Sequence, residues 1–265
     1  MEERYVESTR GKTVYWVGRN ANPKAECIIF LHGLTADHTL FDKQILYFSS
    51  SCTVIVWDAP AHGKSRPYTD FTYANGAEEL KKILDAEEIQ SAVMVGQSMG
   101  GYHIQAFLLK YPERVKAFIG IDTCPFGLGY YSKSDMWWLR QVEWMLRCYP
   151  HKMLVNSIAK SVSKTDYACE NMRKAIDPYS KDELCHLMGL GYSSFTKENQ
   201  DMKINCPVLL LVGEYDKTGK VRQYCEAWHK RENYPLHIVK GAAHNANADN
   251  FADVNKEMER FICRL

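Results

Sequence analysis

The sequence predicts an α/β fold, a doubly wound and mostly parallel sheet with a helical cap insertion. Three observations predict it. Short runs that are apolar at nearly every position recur along the chain, helical stretches separate them, and one long segment past the middle lacks them. A strand buried on both faces is apolar throughout, whereas a strand with one wet face alternates.

The apolar runs are Cys27 to Leu31, Cys52 to Trp57, Ala92 to Val95, Val115 to Ile121, Val208 to Val212 and Leu236 to Val239. Helices are predicted between them over Ala74 to Glu87, Gly101 to Tyr111, Val221 to Lys230 and Asp249 to Arg264. The first of these brings Ala77, Leu80, Ile83 and Leu84 to one face at helical spacing. Alternation of strand and helix implies parallel pairing, and ligands of such sheets sit at the carboxyl ends of the strands. Thr13 to Val17 is predicted to add an antiparallel edge strand.

No strand is predicted from about Pro125 to Asn205. Residues 125–205 are therefore expected to form a helical cap over a core built from 1–124 and 206–265. Asp135 to Cys148 reads as one helix, apolar nearly all round, which has to be covered on most sides. Met136, Trp137 and Trp138 on that helix, with Phe126 before it, are the candidate lining of an apolar substrate pocket.

Composition narrows the function. A net charge of +1 gives no reason to expect nucleic acid or an anionic membrane as partner. No apolar run is long enough to span a bilayer, and the polar start Met1 to Ser8 lacks the apolar stretch of a secretory signal. The 9 cysteines are scattered, without a CxxC pair or finger spacing, which fits reduced thiols in a cytoplasm. Neither a ligand cluster nor a phosphate-cradling loop is present, so neither metal nor organic cofactor is expected and the partner is a small molecule.

The chemistry gathers at strand ends. Gly96-Gln97-Ser98-Met99-Gly100 fits G-x-S-x-G between a predicted strand and a predicted helix. That context makes a sharp turn which lifts the serine hydroxyl clear of the sheet, at a helix N-terminus where developing negative charge is favoured. His32-Gly33-Leu34 ends the first strong strand. Backbone N–H groups of Leu34 and Met99 are candidates to hold an oxyanion. Gly213-Glu214-Tyr215-Asp216 follows the fifth run and offers two acids; Gly241-Ala242-Ala243-His244 follows the sixth and offers a base. Asp216 is preferred to Glu214, and Asp122, after the fourth run, is a further alternative. His32, His38 and His62 fall near the same edge and read as structural or pocket-lining.

These segments, with Trp57-Asp58-Ala59-Pro60-Ala61-His62-Gly63-Lys64-Ser65, resemble the α/β-hydrolase superfamily in its capped, single-domain form. They occur in that family's order across nearly the whole chain outside the cap. The resemblance implies a serine hydrolase with Ser98 as nucleophile, His244 as base, Asp216 as acid, and Leu34 and Met99 as oxyanion donors. It implies no cofactor. The expected substrate is a carboxylic ester with an apolar acyl or alcohol part. Lactonase, thioesterase, C–C bond hydrolase and cofactor-free haloperoxidase chemistry share the triad, and a slow-turnover ligand receptor would retain it.

Overall fold

The structure, a computed structural model, describes residues 1–265. Eight strands, β1 (Glu2–Ser8), β2 (Gly11–Gly18), β3 (Cys27–Leu31), β4 (Thr53–Trp57), β5 (Ala92–Gln97), β6 (Val115–Ile121), β7 (Val208–Gly213) and β8 (Leu236–Val239), form one sheet. Their order is β1-β2-β4-β3-β5-β6-β7-β8. Pairing is parallel from β4 to β8 and antiparallel in β1–β2 and β2–β4. The chain reverses its direction of winding at β3, which lies between β4 and β5. The crevice at such a reversal is where open sheets bind ligands.

The helices are α1 (Asp42–Phe48), α2 (Tyr73–Ala86), α3 (Met99–Lys110), α4 (Lys133–Leu139), α5 (Val142–Arg147), α6 (His151–Ser161), α7 (Asp166–Ile176), α8 (Lys181–Glu198), α9 (Val221–Glu232), α10 (Ala246–Asp249) and α11 (Phe251–Ile262). None is long and apolar enough to cross a membrane. Alternate residues of each central strand feed two cores. Ile28 and Phe30 pack on one face with α1 and α11, while Ile29 and Leu31 pack on the other with α2 and α3. This two-sided burial is why the strands lack polar alternation.

Two local expectations are corrected. Thr13 to Val17 lies in β2, which is not the edge; β1 pairs outside it. β1 was masked by its charges, which an outermost strand can keep in water, and Arg4 reaches back to Glu87 at 2.9 Å. The stretch Asp135 to Cys148 is not one covered helix. It breaks at Arg140–Gln141 into α4 and α5, and neither holds a fully buried residue.

Five helices, α4 to α8, occupy the interval between β6 and β7. They meet the loops at the carboxyl ends of the strands. In α8 the Gly191 carbonyl accepts from the Tyr73 hydroxyl at 2.9 Å, and Ser194 donates to Phe71 O at 3.2 Å. The Val162 carbonyl, after α6, accepts from Asn245 N–H at 2.8 Å. These bonds seat the inserted helices on the edge where the chemistry-bearing loops emerge.

Candidate active site

Ser98 sits between β5 and α3 with φ 50° and ψ −114°. A non-glycine residue holds such a backbone only when its surroundings impose it. Ser98 N–H donates to Ile121 O at 2.8 Å, and Ser98 O accepts from Thr123 Oγ1 at 2.7 Å. The neighbouring glycines are required by space. A Cβ on Gly100 would collide with the Leu31 carbonyl, and one on Gly96 with the backbone of Gly100 and Gly101.

The loop after β8 brings His244 to Ser98, with Nε2 2.9 Å from Ser98 Oγ. His244 Nδ1 lies 2.9 Å from Asp216 Oδ2. Asp216 Oδ1 accepts Thr218 N–H at 2.8 Å. Burial alone would raise the Asp216 pKa, but the charge and hydrogen bond of His244 outweigh it and hold the carboxyl below its usual range. Gln97 donates to His244 O at 2.8 Å and so ties the end of β5 to the histidine loop. Glu214 stands apart; its Oε2 accepts Gly241 N–H at 2.9 Å. Asp122 is buried beside Asp216 but accepts from backbone, at Gly213 N–H and Ala246 N–H.

The remaining loop histidines serve the scaffold. His32 is fully buried, with Nδ1 2.8 Å from Gly33 O and Nε2 accepting Ala59 N–H at 2.9 Å. His38 bonds Asp58 at 2.8 Å, and Asp58 also accepts Lys64 N–H at 2.7 Å. His62 is held at Pro60 O, 2.9 Å away.

A cavity of about 210 Å³ opens over Ser98 and His244. Leu34 and Met99 both border it. Leu34 N–H makes no hydrogen bond within the chain, and Met99 is the first residue of α3, ahead of the first intrahelical bond. The lining is mostly apolar, and the inserted helices contribute Leu139, Ile158, Met172, Met188, Tyr192 and Phe195 to it. Tyr102, one turn beyond Ser98, closes one wall. Among lysine and arginine side chains only Lys220 reaches the wall, and it is bonded to Asp135 at 2.7 Å.

None of Phe126, Met136, Trp137 and Trp138 lines this cavity. α4 turns Met136 and Leu139, three residues apart, toward the core, which leaves Trp137 and Trp138 53% and 54% exposed. Trp144 on α5 is 67% exposed. Phe126 is buried one layer behind the wall, stacked on Tyr102 with centroids 5.9 Å apart. Beyond Ser98, His244, Leu34 and Met99, the side chains that do line it carry almost no local pattern that marks them. Tyr102 alone carried a signal, being four residues after Ser98 and so on the same face of α3.

Comparison with known proteins agrees with this fold. A family model described as "alpha/beta hydrolase fold" matches residues 26–150. Carboxylesterase YbfK of Bacillus subtilis is 25% identical, the match covering 98% of this chain and 87% of that protein. 3-Oxoadipate enol-lactonase 1 of Acinetobacter baylyi is 33% identical over 96 residues, which span only 36% of each chain. The solved structure of a thermophilic esterase from Thermogutta terrifontis superimposes with a TM-score of 0.81 at 18% identity, covering 100% of this chain and 99% of that one.

Proposed function

The chain belongs to the α/β-hydrolase superfamily, and from that premise we propose that it is a serine hydrolase that cleaves neutral carboxylic esters with an apolar acyl group. One observation carries this reading: an unbroken hydrogen-bond chain from Ser98 through His244 to Asp216 lies under an apolar cavity. Helices α4 to α8 then act as a cap that shapes the acyl site.

In the proposed mechanism Ser98 Oγ attacks the ester carbonyl while His244 Nε2 takes its proton. Asp216 holds Nδ1–H, which fixes the tautomer and stabilises the imidazolium. The N–H groups of Leu34 and Met99 receive the oxyanion. His244 protonates the leaving alcohol, and water, activated by the same imidazole, frees the acyl group. Exclusion of water by the inserted helices strengthens each of these polar interactions.

The absence of a free cation on the wall argues for a neutral substrate. A substrate that carries a free carboxylate would need a charged partner for it. Here the sole lysine is already paired with Asp135. The nine free cysteines fit a reducing compartment.

A panel of p-nitrophenyl esters of rising acyl length, with a carboxylate-terminated member, tests the reading. Turnover of the neutral medium-chain esters at least about tenfold better in kcat/KM than of the charged one is expected, a difference of about 1.4 kcal/mol. Ester turnover no faster than background would leave a binding role instead.

A further inference from the structure

A second carboxyl group stands beside the three residues of the mechanism and takes no part in it. Asp122 follows β6, is fully buried, and holds φ at 47°. A strained backbone at a buried polar residue persists only when bonds over-determine it. They do so here. Asp122 N–H donates to Leu211 O at 2.8 Å; its Oδ1 accepts Gly213 N–H at 2.7 Å, and its Oδ2 accepts Ala246 N–H at 3.2 Å.

These partners are not arbitrary. Gly213 ends β7, just ahead of the loop that carries Asp216, and Ala246 follows His244 by two residues. The adjacent residues hold the nucleophile: Ile121 O receives Ser98 N–H, and Thr123 Oγ1 donates to Ser98 O. The three consecutive residues 121–123 therefore fix all three loops, and Asp122 fixes two of them with one side chain.

The charge state follows from proximity. Carboxyl oxygens of Asp122 and Asp216 and a ring nitrogen of His244 all lie within 4.8 Å of one another. Two carboxylates buried that closely do not both ionise. Asp216 has the donors His244 and Thr218, whereas burial and the Asp216 charge push the Asp122 carboxyl well above its ordinary range. The other titratable groups near the pair are the thiols of Cys124 and Cys225, both pushed up by burial and so neutral.

We propose that Asp122 is a positioning residue: as a neutral carboxyl group it splints the Asp216 loop to the His244 loop and places no charge of its own on the imidazole. This rests on the hydrolase reading above. Asn at 122 preserves shape and neutrality and keeps one accepting oxygen. Ala removes both acceptors and leaves Gly213 and Ala246 N–H unsatisfied.

The test compares Asp122→Asn and Asp122→Ala with wild type in p-nitrophenyl ester kinetics, in the acidic limb of kcat/KM against pH, in thermal unfolding, and in the His244 Nδ1–H proton resonance. Asp122→Asn is expected to keep kcat within about tenfold, with the acidic limb in place. Asp122→Ala is expected to lose about 100-fold in kcat at nearly constant KM, as displaced groups do, and to broaden the His244 resonance. An acidic limb that moves by more than about half a pH unit in Asp122→Asn overturns the proposal, because the native residue then carried charge. Unchanged kcat and resonance in Asp122→Ala, with only a lower Tm, also overturns it. If Asp122→Ala does not fold, the Asn variant decides through its pH profile and resonance. The resonance needs no turnover, so an inactive wild type would sink the hydrolase reading while Asp122 is still tested.

Discussion

Ser98 is held at φ 50° by Ile121 and Thr123 and lines the cavity. On the proposed mechanism Ser98→Ala should lower kcat by at least about 10⁴-fold with little change in Tm, since alanine meets no new neighbour there. A fluorophosphonate probe should label Ser98 alone, and labelling that persists in Ser98→Ala would expose another nucleophile. Asp216→Asn should cost roughly 10²–10⁴-fold in kcat through loss of the correct tautomer, whereas Glu214→Gln should stay within about threefold because the Glu214 carboxylate accepts only from Gly241 N–H. A larger loss from Glu214→Gln than from Asp216→Asn would reverse the roles. Ser98, Asp216 and His244 were legible in the sequence because each ends or follows a strand in a small-residue turn that little else explains. Asp122 was legible only as an alternative acid. Its bonds to Gly213 and Ala246 join segments 91 and 124 residues away, and no local pattern encodes those.

At the scale of elements, the central strands were readable because burial on both faces leaves an unmistakable apolar run. α4 and α5 were not. Their composition predicts cover on all sides, yet Trp137, Trp138 and Trp144 face outward, because a break at Arg140–Gln141 lets α4 bury only Met136 and Leu139. The difference has energetic consequences. Trp137→Ala and Trp138→Ala should each cost less than about 1 kcal/mol in urea unfolding, as exposed positions do. Phe195→Ala, at a buried position on α8 against Tyr102 and Phe126, should cost about 3–5 kcal/mol. Equal losses at the two kinds of site would contradict the placement of α4. Specificity should follow α8 and α6 in the same way. Met188→Trp intrudes into the cavity and should cut kcat/KM for the longest acyl esters at least about tenfold while sparing acetyl esters. If it lowers all esters equally, the acyl chain lies elsewhere.

At the scale of the whole molecule, the mostly parallel sheet followed from strand–helix alternation, but the order of its strands, the reversal at β3 and the buried imidazoles beneath the site did not. His62 and His103 read as loop and helix residues in sequence; in the fold they share one apolar layer with His32, Trp57, Phe71 and Tyr73. His103 makes no hydrogen bond at either ring nitrogen. Burial lowers the pKa of all three histidines, that of His62 to about 3. In the unfolded chain each titrates near 6.5. Below that pH the unfolded state binds protons that the folded state refuses, so stability is full above about 6.5 and is lost progressively as pH falls toward 3. His38, raised by Asp58, and the Asp122 carboxyl, raised by burial, act in the opposite sense, and the three histidines outweigh them only once the unfolded imidazoles are largely charged. Unfolding midpoints in urea should therefore fall from about pH 6 to pH 5. His103→Leu isolates the effect, because it removes a buried polar ring that has no partner to lose. The variant should match or slightly exceed wild type at pH 7.5 and gain on it at lower pH, by up to about 1.4 kcal/mol per pH unit where only the unfolded imidazole is charged. Parallel pH curves for variant and wild type would mean that His103 is charged, or reached by water, in the folded protein.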